Sequence, residues 1–327
     1  MSCCEGAPPL QFWENRGTNV LAKWGEGGLF ENFASSAVDL SGEEMVRAVL
    51  AILPRAVYAI TGMNLITLSL AVVLLPLALL ATVRADVAAV SVMNCTFKLF
   101  NHDSTATCFL LHDEKDPKRI FLATAAHVLE KATGNEAILV LRERKADGTY
   151  VRKDVPVKIR EGEKALWTKH KEEDISVMLL KVKEGIKLPS LPTSVLAREG
   201  DLKDEEFTVC SKVWMFGYPA RMEANGAGFP IARNGSIASY PLVPVEPHRT
   251  FMADCSTYAG DSGGPVFITR QKGESAGQPL LVGMVVAQYR NDEKLKMLHE
   301  ERLIRHRLSL GKVVQAEFIR QTIAGVK

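Results

Sequence analysis

Beyond residue 85 the chain consists of short apolar runs separated by polar turns. Six runs come first: Cys95–Phe100, Ala106–Leu111, Ile120–Thr124, Ala137–Leu141, Val155–Ile159 and Ile175–Val182. Five more follow after residue 206: Val209–Phe216, Gly235–Tyr240, Thr250–Asp254, Pro265–Thr269 and Leu280–Gln288. A parallel sheet would need long helices between its strands. The pattern therefore predicts an all-β sandwich or barrel architecture.

Three segments of this region have different patterns. Leu188–Glu206 is rich in proline and charge and predicts a connector, so we place one β unit at residues 91–188, the connector at 189–206 and a second β unit at 207–327. Arg290–Arg307 is so highly charged that a solvated hairpin or helix is expected, without a catalytic role. In Leu310–Ala324 apolar residues recur near helical spacing, which predicts a C-terminal amphipathic helix with Ser309 as a candidate cap.

An uncharged apolar segment lies before the β region. Residues 56–83 contain no charged side chain, and about 20 apolar residues suffice to cross a bilayer as a helix. Three interpretations are open: a permanent membrane anchor, the core of a cleavable signal peptide ending at Val83-Arg84-Ala85, or a buried core helix. We favour a transmembrane or signal helix within residues 56–85, because core helices rarely run so long without a charged residue.

Residues 1–55 carry no evident chemistry. Ser41, followed three residues later by Glu44, forms a capping-box pattern and predicts a short helix over Ser41–Leu53. Met63 stands directly before the hydrophobic core, which raises the hypothesis that translation starts there. Detection of any natural peptide from residues 1–55 by mass spectrometry would exclude that start.

Composition excludes several classes of protein. With 47% hydrophobic and 24% charged residues the chain is an ordinary globular protein. The formal net charge is only +2 and the charges in each cluster are mixed in sign, so no cationic face for nucleic acid is expected. No Cys-x-x-Cys pair or ligand-spaced histidines indicate a metal site, and no cofactor is expected. Four cysteines of the β region form one or two disulfides or remain buried thiols: Cys95, Cys108, Cys210 and Cys255.

The most specific motif is Gly260-Asp-Ser262-Gly-Gly-Pro-Val266. A serine hydroxyl is a weak nucleophile that needs a base for its proton and N–H groups for the developing oxyanion. The flanking glycines let the backbone turn tightly, so the N–H groups of Gly260 and Ser262 are the predicted oxyanion hole. A glycine-rich β-turn is the structural alternative, but the full motif leads into an apolar strand, which a simple turn does not explain.

A base and an orienting acid lie upstream of this serine. His127 ends the apolar strand Ile120–Thr124 after two alanines, which leave room for an imidazole. Of the aspartates between His127 and Ser262, Asp174 alone opens a strongly apolar strand, the context expected for a carboxylate that bonds to a histidine at a barrel rim. We therefore predict His127 as general base, Asp174 as its orienting acid and Ser262 as nucleophile. Taken singly, the structural alternatives are a core histidine at 127 and a strand-entry turn at 174.

The glycine and serine spacing also fits the nucleophile elbow of α/β-hydrolases, but two features argue against that class. The elbow runs straight into a helix, whereas Gly264-Pro265 and a β-branched run follow Ser262. The acid and histidine of that class lie after the serine, where this chain has only His299 and His306, both in the charged segment.

With its histidine, aspartate and serine in this order, the chain resembles the trypsin and chymotrypsin family, and specifically the bacterial trypsin-like peptidase domains. The resemblance covers residues 91–327 and rests on five segments: 124–128, 174–179, 216–219, 260–265 and 282–286. It implies two antiparallel six-stranded β-barrels with the active site in the cleft between them, His127 and Asp174 coming from the first barrel and Ser262 from the second.

The resemblance also assigns a substrate pocket and marks departures from the family. Ser256, six residues before Ser262, corresponds to the floor of the specificity pocket, and its lack of charge argues against strict preference for arginine or lysine. Gln288 is expected at the pocket mouth. The chain has no Ile-Val-Gly-Gly-like start before its first strand, so activation by insertion of a new N-terminus is not supported and the partner of Asp261 is unknown.

Two functions follow from these residues. The first is a serine endopeptidase that hydrolyses protein or peptide substrates through an acyl-enzyme. The second is a catalytically inactive pseudoprotease that binds peptides or proteins without turnover, because a fold does not fix a function. A signal-like segment followed by a hydrolase is most simply an exported hydrolase, so we expect the domain to be extracytoplasmic, either secreted or held at the membrane through residues 56–83.

Overall fold

The computed structural model describes residues 87–102, 104–181, 188–297 and 300–326. The predicted helix at Ser41–Leu53 and the predicted membrane or signal helix within residues 56–85 lie outside these ranges. Within them, no helix is both long enough and apolar enough to cross a bilayer. The described chain begins with a helical segment at residues 87–94, whose Ala88 and Val92 are buried.

The first β unit is one eight-stranded sheet with two further short strands beside it. Its strands are β1 (Thr96–Phe100), β2 (Thr105–His112), β3 (Ile120–Thr124), β4 (Glu136–Arg144), β5 (Tyr150–Lys158), β6 (Arg160–Glu161), β7 (Lys164–Ala165), β8 (Thr168–Lys169), β9 (Ser176–Leu179) and β10 (Leu191–Pro192). The pairing order is β5-β4-β1-β2-β3-β9-β8, β10 pairs with β2, and β6 pairs only with β7. A six-residue helix, Ala126–Lys131, follows β3.

The second β unit is a closed six-stranded barrel. It is made of β11 (Lys212–Gly217), β12 (Ile231–Ile237), β13 (Thr250–Asp254), β14 (Pro265–Thr269), β15 (Pro279–Lys296) and β16 (Glu301–Gln315), in the order β11-β12-β13-β16-β15-β14. The predicted connector contains β10, which joins the sheet of the first unit by pairing with β2, then a 3₁₀ turn at Thr193–Val195 and a short helix at Glu199–Asp204.

The predicted mostly β architecture is confirmed, but only one of the two predicted barrels is closed in the described chain. In the first unit β5 and β8 end the pairing path and do not meet each other. The long hairpin of β4 and β5 explains this, because most of β5 is exposed and pairs along one side only. The apolar runs therefore predicted the β architecture, whereas the closure of the first barrel, which the family resemblance implied, is not observed.

The C-terminal helix is present but begins later than predicted. It spans Ala316–Ala324, whereas residues 310–315 belong to β16 and pair with β13 from Leu310 opposite Asp254 to Val314 opposite Thr250. Ser309 is therefore not its cap; it lies in β16 with a φ of 57°, beside a register shift. Val313 and Val314 are fully buried in the barrel, and their apolar spacing fitted a helix because adjacent apolar residues occur in both kinds of element.

The β15 and β16 strands continue beyond the barrel as a two-stranded hairpin, which we call the arm. It comprises residues 289–297 and 300–308, and its register runs from Arg290 opposite Arg307 to Lys296 opposite Glu301. Nearly every side chain in it is exposed. Of the two alternatives predicted for the charged segment, the solvated hairpin is the one observed.

Polar contacts join the first unit to the loops of the second. The half-buried Arg142 on β4 donates to the Gly228 carbonyl at 3.1 Å and to the Tyr218 hydroxyl at 3.3 Å. Glu223 accepts hydrogen bonds from Lys98 at 2.6 Å and from Arg152 at 2.8 and 2.9 Å. These contacts fix the segment after β11 against β1, β4 and β5.

Candidate active site

The pair of His127 and Asp174 is assembled by the register of two neighbouring strands, β3 and β9. Thr124 at the end of β3 lies opposite Ser176 of β9, so Asp174, just before β9, comes beside the start of the helix that follows β3. One carboxylate oxygen of Asp174 accepts the His127 main-chain N–H at 2.9 Å, and the other lies 2.6 Å from the ring Nδ1. The Asp174 carbonyl accepts the N–H of Ala126 at 3.2 Å. Asp174 thus holds both the ring and the backbone of His127.

The electrostatics of Asp174 favour its charged form. Burial alone would raise the pKa of this carboxyl, but the hydrogen bonds from the ring and main chain of His127 lower the pKa below its usual value. A carboxylate that stays ionised keeps the Nδ1 of the imidazole as a donor, which leaves Nε2 free to accept a proton.

Ser262 lies in the loop between β13 and β14, held on both sides by main-chain hydrogen bonds. The Ser262 carbonyl accepts the N–H of Thr107 at 3.0 Å, and the next residue, Gly263, donates to the Val285 carbonyl at 2.8 Å. The Thr107 hydroxyl donates to the Gly260 carbonyl at 2.7 Å and accepts the N–H of Tyr218 at 3.2 Å. Thr107 of the first β unit therefore forms hydrogen bonds with the loop on both sides of Asp261.

Two glycines in this loop have positive φ angles, which residues with a side chain rarely adopt. Gly260 has a φ of +103° and Gly263 a φ of +90°. A Cβ at Gly260 would collide with the Tyr218 carbonyl oxygen, and one at Gly263 would collide with the Thr107 carbonyl oxygen. Glycine is therefore required at both positions for the loop to turn this tightly and approach the first unit.

The N–H groups of Gly260 and Ser262 have no hydrogen-bond partner within the described ranges. By contrast, the intervening Asp261 N–H donates to the Tyr258 carbonyl at 3.0 Å and the Gly264 N–H donates to the Asp261 carbonyl at 2.8 Å. Unpaired backbone donors are uncommon in folded proteins. The two amides predicted as an oxyanion hole are thus the two that remain available in this turn.

His127 and Ser262 line one cleft of about 230 Å³. No hydrogen bond between the Ser262 hydroxyl and the His127 ring is present among the described residues, and catalytic hydrogen bonds of empty sites are often long. The other residues lining the cleft are Thr257, Tyr258, Ala259, Val285, Val286, Ala287 and Gln288. Three side chains that are distant along the chain therefore converge on one region, with Asp174 behind His127.

The two predicted pocket residues are placed differently. Gln288 lines the cleft, and its buried Oε1 has no partner among the described residues. The hydroxyl of Thr257, also in the cleft wall, is buried and unpaired in the same part of the chain. Ser256 is exposed, is not among the residues lining the cleft, and its hydroxyl lies 3.3 Å from that of Ser309.

Asp261 has a partner that the sequence did not reveal. Its carboxylate is 1% exposed and forms two hydrogen bonds with the Arg233 guanidinium, at 2.8 and 2.5 Å. It also accepts the Tyr258 N–H at 2.7 Å, while Arg233 donates to the Ser256 carbonyl at 2.7 Å. Burial raises the pKa of the Asp261 carboxyl, and the arginine opposes that shift. Arg233 lies in β12 among other polar residues. Only its position in the folded barrel identifies it as the partner of Asp261.

The geometry agrees with a match to a known family. Residues 106–277 match the model of the trypsin-like peptidase domain. No curated protein sequence matches the chain significantly.

Solved structures of similar proteins include two bacterial ones. An inactive form of Rv3671c from M. tuberculosis H37Rv is 18% identical, with 75% of this chain and 92% of that chain covered and a TM-score of 0.41. The protease Anisep from Arthrobacter nicotinovorans is 16% identical, with 72% of this chain and 96% of that chain covered and a TM-score of 0.44.

Proposed function

Because the chain belongs to the family of trypsin-like peptidase domains, whose substrates are proteins and peptides, we propose that it is an active serine endopeptidase with His127, Asp174 and Ser262 as its catalytic triad. The observation that carries this proposal is the placement of the His127–Asp174 pair on the same cleft as Ser262. A peptide-binding module without turnover would not need a carboxylate held at 2.6 Å behind an imidazole.

The chemistry proceeds through an acyl-enzyme. Nε2 of His127 takes the proton of the Ser262 hydroxyl as its oxygen attacks the scissile carbonyl carbon, and the carbonyl π electrons move to the oxygen. When the tetrahedral intermediate collapses, the C–N bond breaks and the imidazolium gives its proton to the leaving amine. A water molecule then repeats both steps on the ester and releases the acid with free Ser262.

The negative oxygen of the intermediate is stabilised by the free N–H groups of Gly260 and Ser262. Their lack of any other described partner supports this role, because donors already aimed at the site need no reorganisation during the reaction. Asp174 stabilises the imidazolium and fixes its orientation without taking the proton.

Substrate side chains enter the cleft beside Ser262. Gln288 and Thr257 present unpaired polar atoms to the cleft. The assignment of Ser256 to the pocket rests on its position in the family alone. No charged side chain is among the residues that line the cleft, which supports a preference for uncharged residues at the scissile bond.

The test is covalent labelling by a fluorophosphonate probe, which reacts with activated serines. We expect the wild-type protein to be labelled, Ser262→Ala and His127→Ala to be unlabelled, and Ser275→Ala, which removes an exposed loop serine, to be labelled like the wild type. Equal labelling of Ser262→Ala would refute the proposal. A folded wild type that is neither labelled nor able to cleave casein, but binds peptides, would favour the pseudoprotease alternative.

We further propose that the peptidase domain lies outside the cytoplasm, directed or anchored by residues 56–83. Support for this comes from the uncharged apolar sequence alone. N-terminal sequencing of the mature protein decides between a start after Ala85, expected for a cleaved signal, and retention of the segment as an anchor.

A further inference from the structure

The arm and the cleft share one strand, β15. On one side β15 pairs with β16 from Gly283 as far as Lys296. On the other side it pairs with β14 only up to Met284, and its last contact is with the Ser262 loop, where Val285 bonds to Gly263 and Gly264. From residue 286 to residue 296 no described strand covers that edge.

An uncovered edge is a template for another strand, because its N–H and C=O groups lack ladder partners. This edge begins at the cleft wall, in Val286, Ala287 and Gln288. The same strand continues into the arm through two register shifts against β16, at residues 285–287 and 288–290. The outer edge of β16 is also uncovered over residues 301–309, but it leads back to Leu310, which is paired with Asp254. Only the β15 edge leads to the nucleophile.

The arm has two chemically different faces, because side chains alternate along a strand and directly opposed residues share a face. The register places five basic and two acidic residues with one leucine on one face, which we call the basic face: Arg290, Asp292, Lys294, Lys296, Glu301, Leu303, Arg305 and Arg307. The opposite face carries Asn291, Glu293, Leu295, Arg302, Ile304 and His306.

The charges on the basic face are largely available to a ligand. Arg290 is paired with Asp292 at 3.0 Å, but no described acidic residue forms an ion pair with Lys294, Arg305 or Arg307. On the opposite face the two charged side chains, Glu293 and Arg302, are of opposite sign and offset each other. An acidic ligand is therefore attracted to one face only.

The basic face begins at the cleft. The Arg307 guanidinium lies over the ring of Tyr258, 4.5 Å from its centre, and Tyr258 lines the cleft with His127 and Ser262. Cationic side chains therefore extend from the cleft wall outward along the arm, on the strand pair whose β15 edge is open.

We propose that the arm is a substrate-binding extension of the cleft: the substrate adds as a strand to the open edge of β15, and the basic face selects acidic side chains in that part of the substrate. This inference rests on the proposed peptidase function. Added strands pair most favourably in the antiparallel sense. Since β15 runs away from Ser262, an antiparallel substrate runs toward it, and the selected acidic residues lie on the N-terminal side of the scissile bond.

The first experiment compares extended substrates. A peptide that the full-length wild type releases from casein and cleaves further is synthesised with a short N-terminal run of glutamate, glutamine or lysine. We expect the glutamate extension to raise kcat/KM about tenfold over the glutamine one, since a few exposed ion pairs together contribute about that much. The lysine extension should lower it. The same glutamate run at the C-terminal end should give no gain, and a gain there would overturn the proposed direction.

Two charge-reversal variants, one on each face of the arm, assign the effect to the basic face. In Lys294→Glu/Arg305→Glu we expect the ratio between glutamate and glutamine extensions to fall to about one or below. Arg302→Glu reverses an equally exposed charge on the opposite face and should keep the wild-type ratio. A glutamate extension with N-methylated peptide bonds keeps its charges but cannot donate to a strand edge, and it should lose most of the gain. Equal ratios in both variants would overturn the proposal.

A binding measurement separates this proposal from the function it rests on. Ser262→Ala protein binds a fluorescent glutamate-extended peptide without cleaving it, and we expect Lys294→Glu/Arg305→Glu in this background to bind about tenfold more weakly than Arg302→Glu. If the wild type cleaves nothing but this difference is present, the peptidase function fails and the arm remains a site for acidic peptides. If the difference appears only for sedimentation with phosphatidylserine vesicles and not for peptide, the arm binds membranes and the proposal is wrong.

Discussion

The guanidinium of Arg233 forms two hydrogen bonds with the carboxylate of Asp261, the residue directly before Ser262. Asp261 is almost completely buried, so its charge depends on this partner. Because Arg233 comes from within β12, the pair forms without a newly generated N-terminus. The chain thus supplies a cation for Asp261 from its own barrel.

Removing this cation should unfold the loop that carries Ser262. In Arg233→Ala the Asp261 carboxylate remains buried without its partner, and we expect the free energy of unfolding to fall by about 3–5 kcal/mol. Urea denaturation at neutral pH measures it. Lys272→Ala breaks the exposed pair of Lys272 with Glu206 and should have a much smaller effect. Losses of similar size in the two variants would contradict the role assigned to Arg233.

Asp174→Asn should abolish most activity while leaving the fold intact. The amide cannot hold His127 in the orientation and tautomer that Ser262 needs, and we expect kcat to fall by about 10⁴-fold. Asp147→Asn, in the exposed turn that holds Thr149, is the control and should keep wild-type kcat. An Asp174→Asn protein within tenfold of the wild type would show that another residue orients the histidine.

The lowered pKa of Asp174 also predicts how stability changes with pH. A carboxyl whose pKa is lower in the folded than in the unfolded protein stabilises the fold above its unfolded pKa, about 3.9, and this contribution is lost as the pH falls through the folded pKa. The difference in unfolding free energy between wild type and Asp174→Asn should therefore be largest near neutral pH and shrink below about pH 4. Urea titrations at pH values on both sides of that range check this; a difference that does not change with pH counts against it.

Thr107 should act on catalysis through the Ser262 loop. Thr107→Val keeps the side-chain shape but removes the hydroxyl that bonds Gly260 and Tyr218, leaving buried polar groups unpaired at a cost of about 1–3 kcal/mol. Loosening of the Gly260 amide should lower kcat by up to about 10²-fold with little change in KM. Thr105→Val on the same strand is the matched control and should leave kcat unchanged. A fall in stability without any fall in kcat would limit Thr107 to a structural role.

Gly263 can be tested by adding a single methyl group. In Gly263→Ala the positive φ is strained and the Cβ meets the Thr107 carbonyl, so we expect a loss of about 3 kcal/mol or more. Gly162 also has a positive φ, of +61°, but nothing lies within 4 Å of an added Cβ. Gly162→Ala should therefore cost only about 1 kcal/mol. Thermal unfolding of the two variants separates the cost of the collision from the cost of the positive φ. Equal losses of stability in the two variants would exclude a contribution from the collision.

The strands could be predicted well from the sequence because apolar residues mark their buried faces. Ile120–Thr124, Thr250–Asp254 and Pro265–Thr269 were predicted with the bounds that the structure shows. Others were misplaced at their ends, and β15 continues past its apolar part into Lys296, because an exposed hairpin has no apolar face to reveal it. Whether a sheet closes depends on how its end strands meet, and no run of residues in β5 or β8 contains that information.

The site divides in a similar way. His127, Asp174 and Ser262 could be selected because each stands beside a distinctive apolar or glycine-rich segment, and the structure places His127 beside Asp174 and on one cleft with Ser262. Arg233 and Thr107 were missed, since their importance lies in pairing with residues distant along the chain, and single charged or hydroxyl residues in strands are common. Their roles became visible only from the geometry of the loop around Asp261.

The four described cysteines are all free thiols, so no sulfur cross-link holds this part of the molecule together. Burial raises the pKa of Cys95 to about 12, and it raises the pKa of Cys108 and Cys255 as well, which suppresses their reactive thiolates. Cys210 is exposed at a turn with a φ of 68°. Dithiothreitol should therefore leave the β units folded. Within them, a maleimide dye should attach at Cys210, next to the barrel that carries Ser262. Its fluorescence would then report how that barrel responds to a bound peptide.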